Sequence, residues 1–163
     1  MLNATTLQDA AVLLAELQAR GVTLATAESC TGGLIAAALT AIPGSSATVL
    51  AGYVTYSNEA KTRLVGVPEA MLAAHGAVSE PVARSMAEGA LADSGAGIAI
   101  SCTGIAGPSG GSAAKPVGLV FIGCARRGME TQVERHVFPG DRGAIRAATV
   151  DAAFGLIRRA LTE

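Results

Sequence analysis

The chain has no tryptophan and only 3% aromatic residues over its 163 positions. Any core must therefore be filled by Ala, Val, Leu and Ile, and such short side chains suit helices packed closely onto a sheet. Charge is scarce too: 15% of residues are charged and the formal net charge is −1. With no basic excess and no Lys or Arg interleaved with aromatics, the electrostatic footprint of a nucleic-acid binder is missing, and no nucleic-acid partner is expected. No apolar run reaches the roughly 18 residues of a membrane span, and the start lacks a basic-then-apolar leader pattern, so no membrane partner and a cytoplasmic location are expected. The three cysteines, Cys30, Cys102 and Cys124, are odd in number, far apart and without metal-ligand spacing. They argue against a disulfide framework or a zinc site and read as small residues in a reducing compartment.

What is present fits one domain over residues 1–163, long enough to bury a core without disulfides or metals. Asn3, Thr5 and Thr6 offer caps for a helix with Leu7, Ala10, Ala11, Leu14 and Leu17 on one face and Gly21 beyond its end. A buried strand is expected over Val22–Ala27, then a turn with Gly32 and Gly33, then a helical run from Leu34 to Ile42 that Pro43 and Gly44 end. Val49–Tyr56 reads as a strand, Ser57 as the cap of a short helix, and Ser79-Glu80-Pro81 as the start of a helix through Ala92. Gly97–Thr103, Val117–Ala125 and Glu130–Phe138 read as three more strands, the last two joined by the short Arg127-Gly128 turn that makes an antiparallel hairpin. Asp141 caps a terminal helix. The alternation predicts an α/β fold, a three-layer α/β/α sandwich with a mixed sheet.

Chemistry-bearing residues gather where the strands end. Ser29 and Thr31 sit in the glycine turn after the first strand, to contact a ligand or to cap the next helix, and Glu28 is a general base, a ligand anchor or a helix-start acid. Lys61 lies in the first helical turn after Ser57, where the helix dipole disfavours its charge and burial would push the same way, toward a neutral amine able to act as a base. His75 and His136 have no acid or nucleophile beside them in the pattern and read as surface or structural. Gly104–Ser112 is a glycine-rich loop after a strand, and Arg142 and Arg146, at i and i+4, could clamp a phosphate.

T-A-E-S-C-T-G-G (Thr26–Gly33), G-S-S (Gly44–Ser46) with G-Y-V-T-Y-S-N-E-A-K (Gly52–Lys61), H-G-A-V-S-E-P-V (His75–Val82) and T-G-I-A-G-P-S-G-G (Thr103–Gly111) with K-P-V-G (Lys115–Gly118) together closely resemble the CinA C-terminal domain family. The resemblance covers essentially the whole chain in order and spacing. It implies hydrolysis of the carboxamide of nicotinamide mononucleotide by a serine and lysine pair, with no metal and no cofactor. On the matching positions Ser46 is the expected nucleophile, with Ser45 an adjacent rival, Lys61 is its base, and Tyr56 orients the lysine or donates to substrate. Turn N–H groups around Ser45 and Ser46, or the Thr103 hydroxyl, are the expected oxyanion donors. Thr103 and the loop holding Gly104 and Gly107 are expected to contact the nucleotide and Arg142 its phosphate, while Ser29, Thr31 and Gly32 line the same cleft. A homodimer or larger assembly is also implied. Members fused behind a molybdopterin-binding-like domain have a pyrophosphatase activity that is not expected of these residues. Two classes of function stay open: an amidohydrolase, and a module that binds a pyridine nucleotide without turning it over.

Overall fold

The alternation of the sequence becomes α1 (Ala4–Ala19), β1 (Leu24–Glu28), α2 (Leu34–Thr40), a 3₁₀ turn (Ser45–Ala47), β2 (Val49–Val54), α3 (Asn58–Val65), α4 (Glu69–His75), α5 (Glu80–Ser94), β3 (Ile98–Gly104), β4 (Leu119–Arg126), β5 (Gln132–Val137) and α6 (Arg142–Thr162). These come from a computed structural model in which residues 2–163 are described. The caps act as their residue types predict: Asn3, Ser57 and Asp141 accept the N–H groups of Thr6, Ala60 and Ala144 at 2.8, 3.0 and 2.9 Å. Ser79 is the exception, because its hydroxyl donates to the Gly76 carbonyl at 2.8 Å and leaves the helix start to Pro81.

The strands form one mixed sheet in the order β2-β1-β3-β4-β5. β2, β1 and β3 run parallel, β4 runs antiparallel to β3, and β5 antiparallel to β4, as the short Arg127-Gly128 turn between them requires. β1 lies one to two residues later than expected, β2 ends at Val54 rather than Tyr56, and β3 runs on through Gly104. Glu28 and Gly104 are therefore the last residues of their strands, at the same edge of the sheet.

α1, α2 and α6 cover one face of the sheet, burying Leu13, Leu17, Ile35, Leu39, Phe154 and Ile157 against Ile98, Ile100 and Ile122. α5, backed by α3 and α4, covers the other face, where the strands present Ala25, Ala27 and Ala99. Alternation along β1 and β3 sorts large residues to the first face and alanines to the second. The small side chains let α5 come so close that the Ser101 hydroxyl bonds the Ala83 carbonyl at 2.6 Å. This is the three-layer α/β/α sandwich with a mixed sheet that the pattern predicted.

α3 approaches α5 with the same intimacy. A Cβ built at Gly89 would stand 1.7 Å from the Val65 carbonyl oxygen. Ala is the better helix former by about 1 kcal/mol, yet Gly89→Ala must push α3 away from α5, and a net loss of about 2–3 kcal/mol is expected. A urea melt checks the sign: an unchanged or raised midpoint would contradict this packing.

Candidate functional site

β1, β2 and β3 are parallel, so their carboxyl ends share one edge of the sheet, the edge at which open α/β sheets hold ligands. Glu28 closes β1 there, fully buried, and its carboxylate is spent on structure: it accepts the N–H groups of Ile35 and Ala36 at 2.9 and 2.8 Å and the Thr31 hydroxyl at 2.5 Å. It thereby caps α2, whose first residue follows Gly33 in a left-handed conformation that only glycine adopts easily. Glu28 is a helix-start acid, neither base nor ligand anchor.

Capping by Glu28 fixes the turn just beyond it, where Ser29 is anchored by its own N–H to the Cys102 carbonyl at 3.0 Å. Its hydroxyl faces Lys61. The Lys61 side chain is only 1% exposed, the largest fully buried side chain of the protein. Its Nζ lies 3.1 Å from Ser29 Oγ, 2.8 Å from the Thr55 carbonyl oxygen and 3.5 Å from that of Tyr56. Among the described residues no carboxylate reaches it. Burial pushes its ammonium below the ordinary 10.5, against the opposing pull of Cys30 and Cys102 in their charged forms.

The three oxygens around Nζ suit either form of the lysine: an ammonium donates to all of them, whereas a neutral amine donates to the two carbonyls and turns its lone pair to the Ser29 hydroxyl. Burial shifts the balance toward the second form, in which an amine 3.1 Å from a serine hydroxyl has the geometry of a base beside a nucleophile.

The pair lies in a cleft of about 250 Å³ lined by Ser29, Cys30, Tyr56, Asn58, Lys61 and Arg142, with Ala77 and Val78 from the α4–α5 loop and Thr103, Gly104 and Ala106 from the end of β3. Arg142, at the exposed mouth, donates to the Gly107 carbonyl and the Tyr56 hydroxyl, each at 3.0 Å. Neither partner is an acid, so the guanidinium keeps its charge available for an anion.

Several expectations are corrected. Ser45 and Ser46 do not meet Lys61: their 3₁₀ turn precedes the first residue of β2, whereas Lys61 follows its last. Six residues of strand put about 20 Å between the two ends. Ser46 is exposed and Ser45 buried, both outside the cleft, so within one chain neither they nor their N–H groups reach the lysine. The Thr103 hydroxyl lines the cleft but donates to the Ala77 carbonyl at 2.8 Å, and its one proton is committed. The phenol of Tyr56 turns to Arg142, so Tyr56 holds the lysine only through its backbone. Thr31 is fully buried and shares its hydroxyl with Glu28 and Cys102, away from ligand, and Gly32 is exposed beside Arg146. Arg146 does not join Arg142 in a clamp, because it donates to the Thr31 carbonyl at 2.8 Å and holds the turn. Gly107 contributes through its carbonyl to Arg142. His75 ends α4, and His136 sits 3.0 Å from Glu134 on β5; neither reaches the cleft.

Ala106 falls in the glycine loop expected to contact the ligand, whereas Cys30, Asn58, Ala77 and Val78 line the cleft without a signal that the sequence reading used. H-G-A-V-S-E-P-V pointed at Ala77 and Val78, but as an apparent helix connection it read as architecture. Cys102 comes beside Cys30 because β1 and β3 are neighbours, its carbonyl accepting the Ser29 N–H and its sulfur 3.0 Å from the Thr31 hydroxyl. Sequence spacing alone cannot show that.

The fold and cleft define an α/β sandwich with a cleft at the carboxyl ends of its parallel strands, built around a buried lysine and a serine. The chain belongs to the CinA C-terminal domain family, whose model matches residues 6–161. It is 53% identical over 154 residues to a CinA-like protein of Gemmatimonas aurantiaca, covering 94% of this chain and 36% of that protein. A CinA-like protein of Citrifermentans bemidjiense is 54% identical over 145 residues, 89% of this chain and 35% of that protein. The chain thus spans about a third of the length of these relatives. Among solved structures, the competence/damage inducible protein CihA from Agrobacterium tumefaciens superposes with a TM-score of 0.95 at 43% identity, covering 100% of this chain and 99% of that one. The competence damage-inducible protein A (ComA) from Klebsiella pneumoniae does so with a TM-score of 0.92 at 41% identity, covering 97% and 98%. Among the described residues no helix is long and apolar enough to cross a membrane.

Proposed function

We propose that the chain is a nicotinamide-nucleotide amidohydrolase, converting nicotinamide mononucleotide and water to nicotinic acid mononucleotide and ammonia, with Ser29 as nucleophile and Lys61 as its base. The observation that carries the reaction type is the buried lysine, without an acid partner, 3.1 Å from a serine hydroxyl in an open cleft. The substrate comes from the motif resemblance, and the free guanidinium of Arg142 at the cleft mouth supports its phosphate.

Lys61 takes the hydroxyl proton as Ser29 Oγ attacks the carboxamide carbon, and its ammonium then protonates departing ammonia. Neighbouring amides bond elsewhere, Ser29 N–H to Cys102 and Gly32 N–H to the Ser29 carbonyl, so we assign the oxyanion to the N–H of Cys30, which lines the cleft. Water activated by the same lysine releases nicotinic acid mononucleotide and restores the serine.

The reaction is tested by ammonia release from nicotinamide mononucleotide with chelator-treated protein. Binding of the nucleotide with no ammonia released would make the chain a binding module and end the enzymatic reading. Arg142→Ala addresses the phosphate: a charged hydrogen bond of about 1.5–3 kcal/mol predicts a KM roughly 10- to 100-fold higher for the nucleotide, with the dephosphorylated nucleoside little affected. Equal losses on both substrates would remove Arg142 from the phosphate site.

A further inference from the structure

The cleft holds a nucleophile that the hydrolysis does not use. Cys30 follows Ser29 directly, is 7% exposed and lines the cleft, so a small solute in the cleft can meet its sulfur. Behind it lies Cys102, fully buried on β3, where its sulfur also lies 3.0 Å from the Thr31 hydroxyl. Cys102 thus touches both neighbours of Cys30 in the chain, the Ser29 N–H through its carbonyl at 3.0 Å and the Thr31 hydroxyl through its sulfur, which sets the two thiols side by side. Donation by the Cys102 thiol lowers the Cys30 pKa from its ordinary 9.0, while Cys102 itself is held well above that value by the Cys30 sulfur and by burial. Arg146 also favours a Cys30 thiolate, and the charge of Glu28 opposes it. The arrangement is an accessible thiol of thiolate character with a second thiol against it, the pattern of a peroxide-reactive cysteine and its resolving partner.

We propose that Cys30 is a modification site for hydroperoxides and that Cys102 closes the product into a Cys30–Cys102 disulfide. The Cys30 thiolate attacks one peroxide oxygen, the O–O bond breaks and hydroxide leaves, giving the sulfenic acid. Cys102 sulfur then attacks Cys30 sulfur, the S–O bond breaks, and the departing hydroxide takes the Cys102 proton and leaves as water. Two thiols lose two electrons and two protons in total, and the peroxide is reduced to two waters. Closure draws the two sulfurs together to about 2.05 Å. Ser29, next in the chain to Cys30 and bonded to Cys102 through its own N–H, is drawn with them off its 3.1 Å contact with Lys61. Displacements of about 1 Å at a reacting pair cost on the order of 100-fold in rate.

The loss of activity rests on the Ser29–Lys61 reading, whereas the disulfide does not, so the two are read separately. Protein treated with hydrogen peroxide is denatured, alkylated, digested and mapped by mass spectrometry, with ammonia release followed in parallel. The expected result is a linked Cys30 and Cys102 peptide pair, reversed by dithiothreitol, with Cys124 still a free thiol. Cys124 is the internal control, buried and pushed up to about 12 by burial. In Cys102→Ala the same treatment is expected to leave Cys30 carrying added oxygen, trapped by dimedone, with no cross-link. Activity lost with the cross-link and restored by dithiothreitol supports the effect on the dyad. A cross-link that leaves ammonia release unchanged overturns that effect alone. Three free thiols after peroxide, or oxidation confined to Cys124, overturns the proposal whatever the enzyme's activity.

Discussion

Ser29→Ala is expected to lower kcat for ammonia release by about 10⁴-fold or more while leaving affinity for nicotinamide mononucleotide within about threefold. The hydroxyl is the atom that forms the acyl bond, so its removal deletes the covalent route, about 5.5 kcal/mol of transition-state stabilisation at that ratio. Binding survives because Arg142 and the loop after β3 are untouched and the turn is held by backbone: Ser29 N–H to Cys102 and Arg146 to the Thr31 carbonyl. Ser46→Ala, about 20 Å away across the length of β2, is expected to retain activity within about twofold. Calorimetric binding beside a kinetic assay separates the two serines. Full turnover in Ser29→Ala, or its loss in Ser46→Ala, would return the nucleophile to the start of β2.

Lys61→Met is expected to cost about 10³- to 10⁴-fold in kcat, the range of a positioned general base, and to abolish the pH dependence that the lysine imposes. Because burial lowers the Lys61 pKa from 10.5, the reactive neutral form gathers as pH rises through that lowered value, and wild-type activity climbs over a window ending below 10.5. Lys61→Arg should be as inactive as Lys61→Met, since a guanidinium keeps its proton throughout. Stability carries the same signature. Between the lowered folded pKa and the unfolded 10.5, the unfolded chain binds more protons than the folded one, so stability rises with pH across that window. Below it the buried ammonium is a standing cost; above it the difference is gone. Urea melts at several pH values should show this rise in wild type and not in Lys61→Met. A flat wild-type profile would mean that the lysine is not held neutral, and the base assignment would fall with it.

The distance between Ser46 and Lys61 shows where motif reading stops. G-S-S and G-Y-V-T-Y-S-N-E-A-K are close in sequence, and a serine 15 positions from a lysine looks like a partner, yet a strand between them carries the two to opposite edges of the sheet. Ser29, 32 positions from Lys61, reaches it because β1 and β2 lie parallel side by side and their carboxyl ends coincide. Ser29 was legible as a cleft residue but not as the partner of Lys61, since that pairing depends on which strands are neighbours. Likewise Arg142 and Arg146 share a helix face, but only the packing of α6 against the turn shows that one reaches the Thr31 carbonyl and the other the cleft mouth.

By itself the sequence determined the elements and their layering. Period-2 and period-3.6 patterns, Asn3, Ser57 and Asp141 as caps, and the Arg127-Gly128 turn are local signals, and local backbone chemistry suffices to fix them. It also singled out Lys61, since a lysine early in a helix beside hydroxyl residues has its charged form disfavoured wherever burial follows. Tertiary structure alone decided the burial that lowers the pKa of this lysine, the serine it faces and the thiol beside Cys30. Each depends on strand order, and strand order is set by non-local packing that no local pattern encodes.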